Sequence, residues 1–355
     1  MKMAQRHLAL SRLCSLLGTV VGGLLLVGPA PVQGQIPEPN GGVIRPGTLP
    51  LRWATGGPKC MQMPEWQVHE YNPDLILMRQ SGCTDYEKPF VFVLFGKDRA
   101  MLLDTGSRNG NIVPALERVM HDWMLRNERT AMPLLVVHTH SHEDHTFGDV
   151  AIRAMNDPAV PVTYLAPTVP ATAKFYGIVR WPEDIGHVDL GDRTIDVIPI
   201  PGHDVVSVAF YDRQTAVLFT GDSVYPGRIY IRDFTAFARS NRRMVQFTEG
   251  KVVAHLLGNH IEQTRTPYLD YPVGTMYQPE EHALELPRGT LLEMQDAIDA
   301  LGGKPKRVAY AEFSLWPVGP EFPESTAERN AYRERQEYQK KHRWDQTDPI
   351  APANR

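Results

Sequence analysis

Thr139-His140-Ser141-His142-Glu143-Asp144-His145 puts four metal-capable side chains, His140, His142, Asp144 and His145, within six positions. The stretch lies directly behind the apolar run Pro133-Leu134-Leu135-Val136-Val137. In extended backbone, residues two apart point the same way, so His140 and His142 can present their imidazoles to one cation. A turn after them aims Asp144 and His145 at a second point nearby. Donors this crowded make a poor tetrahedron for one ion and suit two ions, provided further ligands come from elsewhere.

The later chain offers such ligands, each just beyond a strand-like run, where loops carry chemistry on a rigid scaffold. Pro201-Gly202-His203 follows Ile195 to Ile200, Gly221-Asp222 follows Thr215 to Thr220, and Leu257-Gly258-Asn259-His260 follows Val252-Val253-Ala254. His255 competes with His260 for the last place, and His138 reads as a packing or supporting residue. The remaining histidines, His69, His121, His187, His282 and His342, read as ordinary surface or core residues.

The series His-x-His-x-Asp-His, then His, Asp and His, with Asp104-Thr105-Gly106 upstream, resembles the metallo-β-lactamase-fold hydrolases from about Leu75 to Ala311. The resemblance implies an α/β fold, the αβ/βα four-layer sandwich of two mixed sheets flanked by helices. It also implies His140, His142 and His203 on one metal, Asp144, His145 and His260 on another, Asp222 bridging, and Asp104 behind them orienting a ligating histidine. Two Zn2+ per chain suit imidazole and carboxylate, with Fe or Mn still open. A metal-bridging hydroxide would then cleave an ester-like bond (lactone, thioester or β-lactam) in a small molecule, with Asp144 orienting it or taking its proton. Asp222 turns the likeness towards glyoxalase II and lactonase relatives rather than true β-lactamases. Tyr225 resembles a lactonase tyrosine that holds a substrate oxygen, a packed strand-end tyrosine being the alternative. The rival to hydrolysis is a non-hydrolytic metal-binding or redox member of the same fold.

With 37 basic against 41 acidic residues, a net charge of -4 offers no general positive field for nucleic acid, and none is expected as a partner. Lys2, Arg6 and Arg12 precede the apolar Leu13 to Val27 and the small-residue site Val32-Gln33-Gly34, so residues 1–34 read as a signal peptide. A periplasmic or secreted protein starting near Gln35 follows, with no stable membrane span in the mature chain; an uncleaved anchor is the alternative. An oxidising compartment favours an intrachain disulfide between Cys60 and Cys83, two independent thiols being the alternative. The chain divides into a leader (1–34), an N-terminal arm (35–74), a catalytic domain (75–311) and a charged C-terminal extension (312–355).

Apolar alternation predicts strands from Leu75, Phe90 and Ala100, and helical spacing predicts helices over 111–126, 146–155, 168–176, 233–249 and 290–301. A strand is expected over 306–311 and a peripheral helix over 325–342. Phe147 stands where the resembling proteins more often carry glycine, which places it at one side of the metal cleft. The irregular, tyrosine- and proline-rich stretch 263–287 reads as a substrate-pocket wall or a surface loop.

Overall fold

The computed structural model describes residues 44–54 and 63–341. The expected leader, Cys60 and residues 342–355, with His342, lie outside the described residues.

The pattern expected to begin at Leu75 builds a six-stranded sheet whose order follows the chain. Its strands are β1 (Trp66–Asn72), β2 (Leu75–Gln80), β3 (Phe90–Phe95), β4 (Ala100–Leu103), β5 (Leu134–Val137) and β6 (Val162–Tyr164). The first four form an antiparallel meander, and β4, β5 and β6 run parallel. The parallel step needs a crossover, supplied by α1 (Val113–Arg126). This helix starts later than its apolar spacing suggests: Pro114 suits only a first turn, and Asn111 Oδ1 already accepts from Val113 N at 3.2 Å. The sheet also starts before residue 75, because β1, inside the presumed arm, pairs along β2.

After β5 the expected helix over 146–155 splits into α2 (Glu143–Thr146) and α3 (Asp149–Arg153). Gly148 lies between them, where a Cβ would stand 2.4 Å from the Thr105 carbonyl oxygen. α4 (Val169–Tyr176) then leads to the second sheet: β7 (Gly186–Asp189), β8 (Thr194–Pro199), β9 (Val208–Asp212), β10 (Val217–Gly221) and, beyond a departing strand β11 (Arg228–Ile231) and α5 (Phe234–Phe247), β12 (His255–Gly258) and β13 (Glu285–Leu286). Its order is β13-β12-β10-β9-β8-β7. β12 starts at His255 rather than Val252 because its register is set by β10, with Val217 opposite His255. After α6 (Gly289–Ala300), β14 (Val308–Ala309) and β15 (Ser314–Pro317) join β11 in a small third sheet, and α7 (Thr326–Lys341) follows. The boundary placed at 311/312 therefore falls between two paired strands.

Period-two alternation assigns the faces. Phe92, Leu94, Val137, Phe210, Phe219 and Leu257 meet in one cluster between the two large sheets. Their sequence neighbours Val91, Val93 and Val136 pack outward with Leu116, Met120 and Trp123 of α1. On the other side Leu218 and Leu256 pack with Phe237 and Met244 of α5 and Leu291 and Met294 of α6. The result is the expected four-layer sandwich, and each fully buried large apolar side chain contributes roughly 1.5–3 kcal/mol.

Candidate metal centre

The donors reach one place because five strands end on one edge. β4 and β5 are parallel, as are β10 and β12, and β8 runs with β10 through two antiparallel steps. Their C-terminal ends carry Asp104, His140, Asp222, His260 and His203 respectively. The turn from β5 into α2 is pinned by Asp204, whose Oδ2 accepts from Ser141 N at 2.9 Å and from the Ser141 hydroxyl. At the His203 loop, Gly202 has φ +144°, and a Cβ there would stand 2.5 Å from Phe237 Cα. Only glycine lets α5 approach this close.

Two donor groups result, His140, His142 and His203 in one and Asp144, His145, Asp222 and His260 in the other, with ligand atoms all within 4.8 Å inside each. His142 Nδ1 lies 3.0 Å from His140 Nε2 and 2.9 Å from His203 Nε2. Asp144 Oδ2 lies 3.3 Å from His145 Nε2 and 3.2 Å from His260 Nε2. Asp222 faces both groups, Oδ2 at 3.6 Å from His203 Nε2 and 3.8 Å from His140 Nε2, Oδ1 at 3.5 Å from His145 Nε2 and 3.4 Å from His260 Nε2.

The residues fit bound cations on two counts. Asp222 Oδ1 is buried with no hydrogen-bond partner among the described residues, which is costly unless a cation satisfies it. In addition, four histidines have their outer nitrogens engaged. Nδ1 of His203 is 2.7 Å from the Tyr230 carbonyl, Nδ1 of His260 2.9 Å from that of Glu87, Nδ1 of His140 3.1 Å from Thr139 Oγ1, and Nδ1 of His145 3.1 Å from Asp104 Oδ2. Donating there leaves each Nε2 lone pair facing the cluster.

Charge divides the two groups. Burial, with His145 beside it, holds His140 well below the ordinary histidine value; burial and His203 hold His142 at about 4; burial also lowers His203. His145 and His260 go the other way. Burial opposes their charge, but Asp144, Asp222 and Asp104 raise His145, and Asp222 and Asp144 raise His260 to about 9. Burial likewise opposes ionisation of Asp144 and Asp222, and the facing histidines overcome it, so both carboxyls sit below the usual range.

Asp104 also accepts from Thr139 N, Thr139 Oγ1 and Asn259 Nδ2, each at 2.8 Å. Asn259 carries no sequence signal beyond its place beside His260. His138 lies outside both groups, 2.9 Å from Asp149 Oδ1, which also accepts from Thr105 Oγ1, while Asp149 Oδ2 accepts from the Tyr164 hydroxyl. His255 stays in β12, edge-on to Tyr71 at 5.9 Å. Tyr225 departs from the substrate-holding role: it is 1% exposed, its hydroxyl donates to the Arg228 carbonyl, and its ring packs edge-on to His260 at 5.6 Å. It is the packed strand-end alternative. Phe147, expected at one side of the metal cleft, is 47% exposed. In the 263–287 stretch, Pro272, Val273, Gly274, Thr275 and Gln278 line a cleft shared with His260.

A family model described as the metallo-beta-lactamase superfamily matches residues 87–294. The chain belongs to the metallo-beta-lactamase superfamily. Curated relatives of this superfamily member include acyl-coenzyme A thioesterase MBLAC2 of Bos taurus, 25% identical over 235 residues, 56% of this chain and 83% of that protein. The Homo sapiens protein of the same name is 24% identical over 56% of this chain and 83% of its own length. Hydroxyacylglutathione hydrolase of Pseudomonas putida is 27% identical over 128 residues, 35% of this chain and 46% of that protein. Among solved structures, a metallo-beta-lactamase from Pontibacter korlensis aligns with a TM-score of 0.43 at 15% identity, covering 66% of this chain and 99% of that one.

Proposed function

We propose that this superfamily member is an exported hydrolase that holds two divalent cations and cleaves an ester-like bond, thioester or lactone, in a small molecule. The observation that carries the reading is Asp222, whose two oxygens face different donor groups at 3.4 to 3.8 Å, as a bridging ligand requires. Nitrogen and oxygen donors without thiolate suit zinc, with iron or manganese as alternatives. Bound cations would lower the pKa of water and polarise the scissile carbonyl.

The chain's own part falls to Asp144. Ionised beside His145 and His260, it would orient the attacking water or take its proton. The printed names of the curated relatives, a thioesterase and a hydroxyacylglutathione hydrolase, favour a thioester over a β-lactam. Export rests on the basic, apolar start of the sequence, and the Cys60–Cys83 disulfide belongs with it; a thiol titration of the mature, unreduced chain should then find no free thiol.

The test combines metal analysis with turnover of acyl thioester, lactone, cephalosporin and phosphodiester probes. About two metals per chain, with thioester or lactone turnover abolished in Asp222→Ala, is the expected result. A folded, metal-loaded chain inert towards every probe would end the proposal.

A further inference from the structure

His260 and Asp222 follow strands of the second sheet, whereas Asp144 and His145, which share their donor group, follow β5 of the first. Asn259 spans that gap. It is 0% exposed, and its polar atoms reach the ends of three strands. Its backbone N–H donates to the Gly221 carbonyl, one residue before Asp222, at 3.3 Å, and its carbonyl accepts from Phe90 N at 2.8 Å. Its side-chain amide donates to the Phe90 carbonyl at 2.6 Å and to Asp104 Oδ2 at 2.8 Å. Asn259 therefore stands one step from His260 along the chain, from Asp222 through Gly221, and from His145 through Asp104.

The other donors to the Asp104 carboxylate, Thr139 and His145, follow β5 in its own sheet. Among the described residues, Asn259 alone bonds that carboxylate from the second sheet. The residue type follows from the geometry. The Phe90 carbonyl and Asp104 Oδ2 both accept, so the amide must turn its NH2 towards them. That leaves Asn259 Oδ1 buried with no hydrogen-bond partner among the described residues, a costly state. The fold tolerates it to keep two donors on a short, uncharged side chain. An aspartate in the same place would meet Asp104 with like charge and no proton to offer.

We infer that Asn259 is a positioning residue of the Asp144, His145, Asp222 and His260 group: bonding Asp104 from the opposite sheet, it sets His260 against His145, and without it that group alone loses affinity for its cation. The loss of affinity rests on the two-cation reading; the coupling of Asn259 to Asp104 does not.

The test uses the full chain with cadmium as the probe metal, by chelator competition and cadmium NMR. Carboxylate oxygen and imidazole nitrogen shift the cadmium resonance differently, which tells the two groups apart. Asn259→Leu, which keeps the branched shape and removes both donors, should weaken the Asp144, His145, Asp222 and His260 group about 10–100-fold and leave the three-histidine group at wild-type affinity. In an Asp104→Ala background the same substitution should change affinity by no more than about twofold. Equal weakening of both groups, or an effect undiminished without Asp104, overturns the inference while leaving the two-cation reading standing. If the wild type takes up no cadmium at the second group, that reading fails, and denaturant titration of the metal-free chain decides the inference. Asn259→Leu should then raise the unfolding constant at least about tenfold more in the wild type than in the Asp104→Ala background, and additive changes overturn it. Should the leucine variant not fold, Asn259→Ser, too short to reach Asp104, is read the same way.

Discussion

Asp104 Oδ2 lies 3.1 Å from His145 Nδ1 with neither side chain exposed, and Asp104 holds this place from a left-handed backbone, φ +67°. For a residue other than glycine that conformation costs about 1–3 kcal/mol and persists where surrounding structure over-determines it. Here four hydrogen bonds do so.

Asp104→Asn should therefore separate orientation from packing. The amide fills the same volume but can present N–H to His145 Nδ1, moving the imidazole proton to the nitrogen that faces the cluster. Metal affinity of the Asp144, His145 and His260 group should fall about 10–100-fold, read by competition with a chromogenic chelator. Unchanged affinity would refute the orienting role.

Protonation predicts an order of metal loading. In the metal-free chain the His140, His142 and His203 group is held proton-free at neutral pH, whereas His145 and His260 keep protons, His260 up to about 9. The first group should fill first. The second should release protons on filling and tighten as pH rises towards about 9. Calorimetry in buffers of different ionisation enthalpy counts those protons, and two equivalent, pH-independent sites would contradict the scheme.

The same shifts shape metal-free stability. His145 and His260, raised, contribute fully below the ordinary value of 6.5 and lose that contribution as pH climbs through their folded values, about 9 for His260. Asp144 and Asp222, lowered, contribute above their ordinary 3.8 and lose it on acidification. The metal-free Tm should peak between these limits and decline towards alkaline pH, and a Tm still rising past pH 8 in calorimetric scans would contradict this.

Arg79 and Glu281 form a bidentate pair at 2.5 and 2.9 Å, both nearly fully buried, joining β2 to the 263–287 stretch. Burial pushes the Glu281 carboxyl up against the pull of Arg79. Removing one partner leaves a stranded charge, so Glu281→Ala should cost about 3–5 kcal/mol. Replacing both with apolar residues should recover much of that loss in denaturant titrations.

Gly202→Ala should act at a distance from the donors. The added methyl collides with the Phe237 backbone, so either α5 or the His203 loop must shift, at about 1–3 kcal/mol. The expected phenotype is a lowered Tm together with metal lost from the His140, His142 and His203 group; full metal content at wild-type Tm would refute it.

The metal groups were legible because each donor type sits at the end of an apolar run, and strand ends are local features. Asp104, His203, Asp222 and His260 could be named without knowing the sheets. β11 and β15 could not, since each is four residues long and they pair across 86 positions, Arg228 with Ser314. The supports of His203 and His260 are carbonyls of Tyr230 and Glu87, and backbone atoms leave no signature in residue type. Tyr86, Tyr230, Trp316 and Tyr332 line one cavity but lie too far apart in the chain to form a pattern. Tyr225 shows the converse: its position left a substrate-holding hydroxyl and a packed ring both open, and the hydroxyl donates to the Arg228 carbonyl.

The donors come from both large sheets: His140, His142, Asp144 and His145 follow β5, while His203, Asp222 and His260 follow β8, β10 and β12. Chelation would thus rivet the two halves of the sandwich together at one rim, beside the backbone bonds from Val208 N to the Thr139 carbonyl and from Phe90 N to the Asn259 carbonyl, each 2.8 Å. Stripping the ions should let the halves breathe along that seam first, and deuterium uptake should rise there before it rises in either sheet.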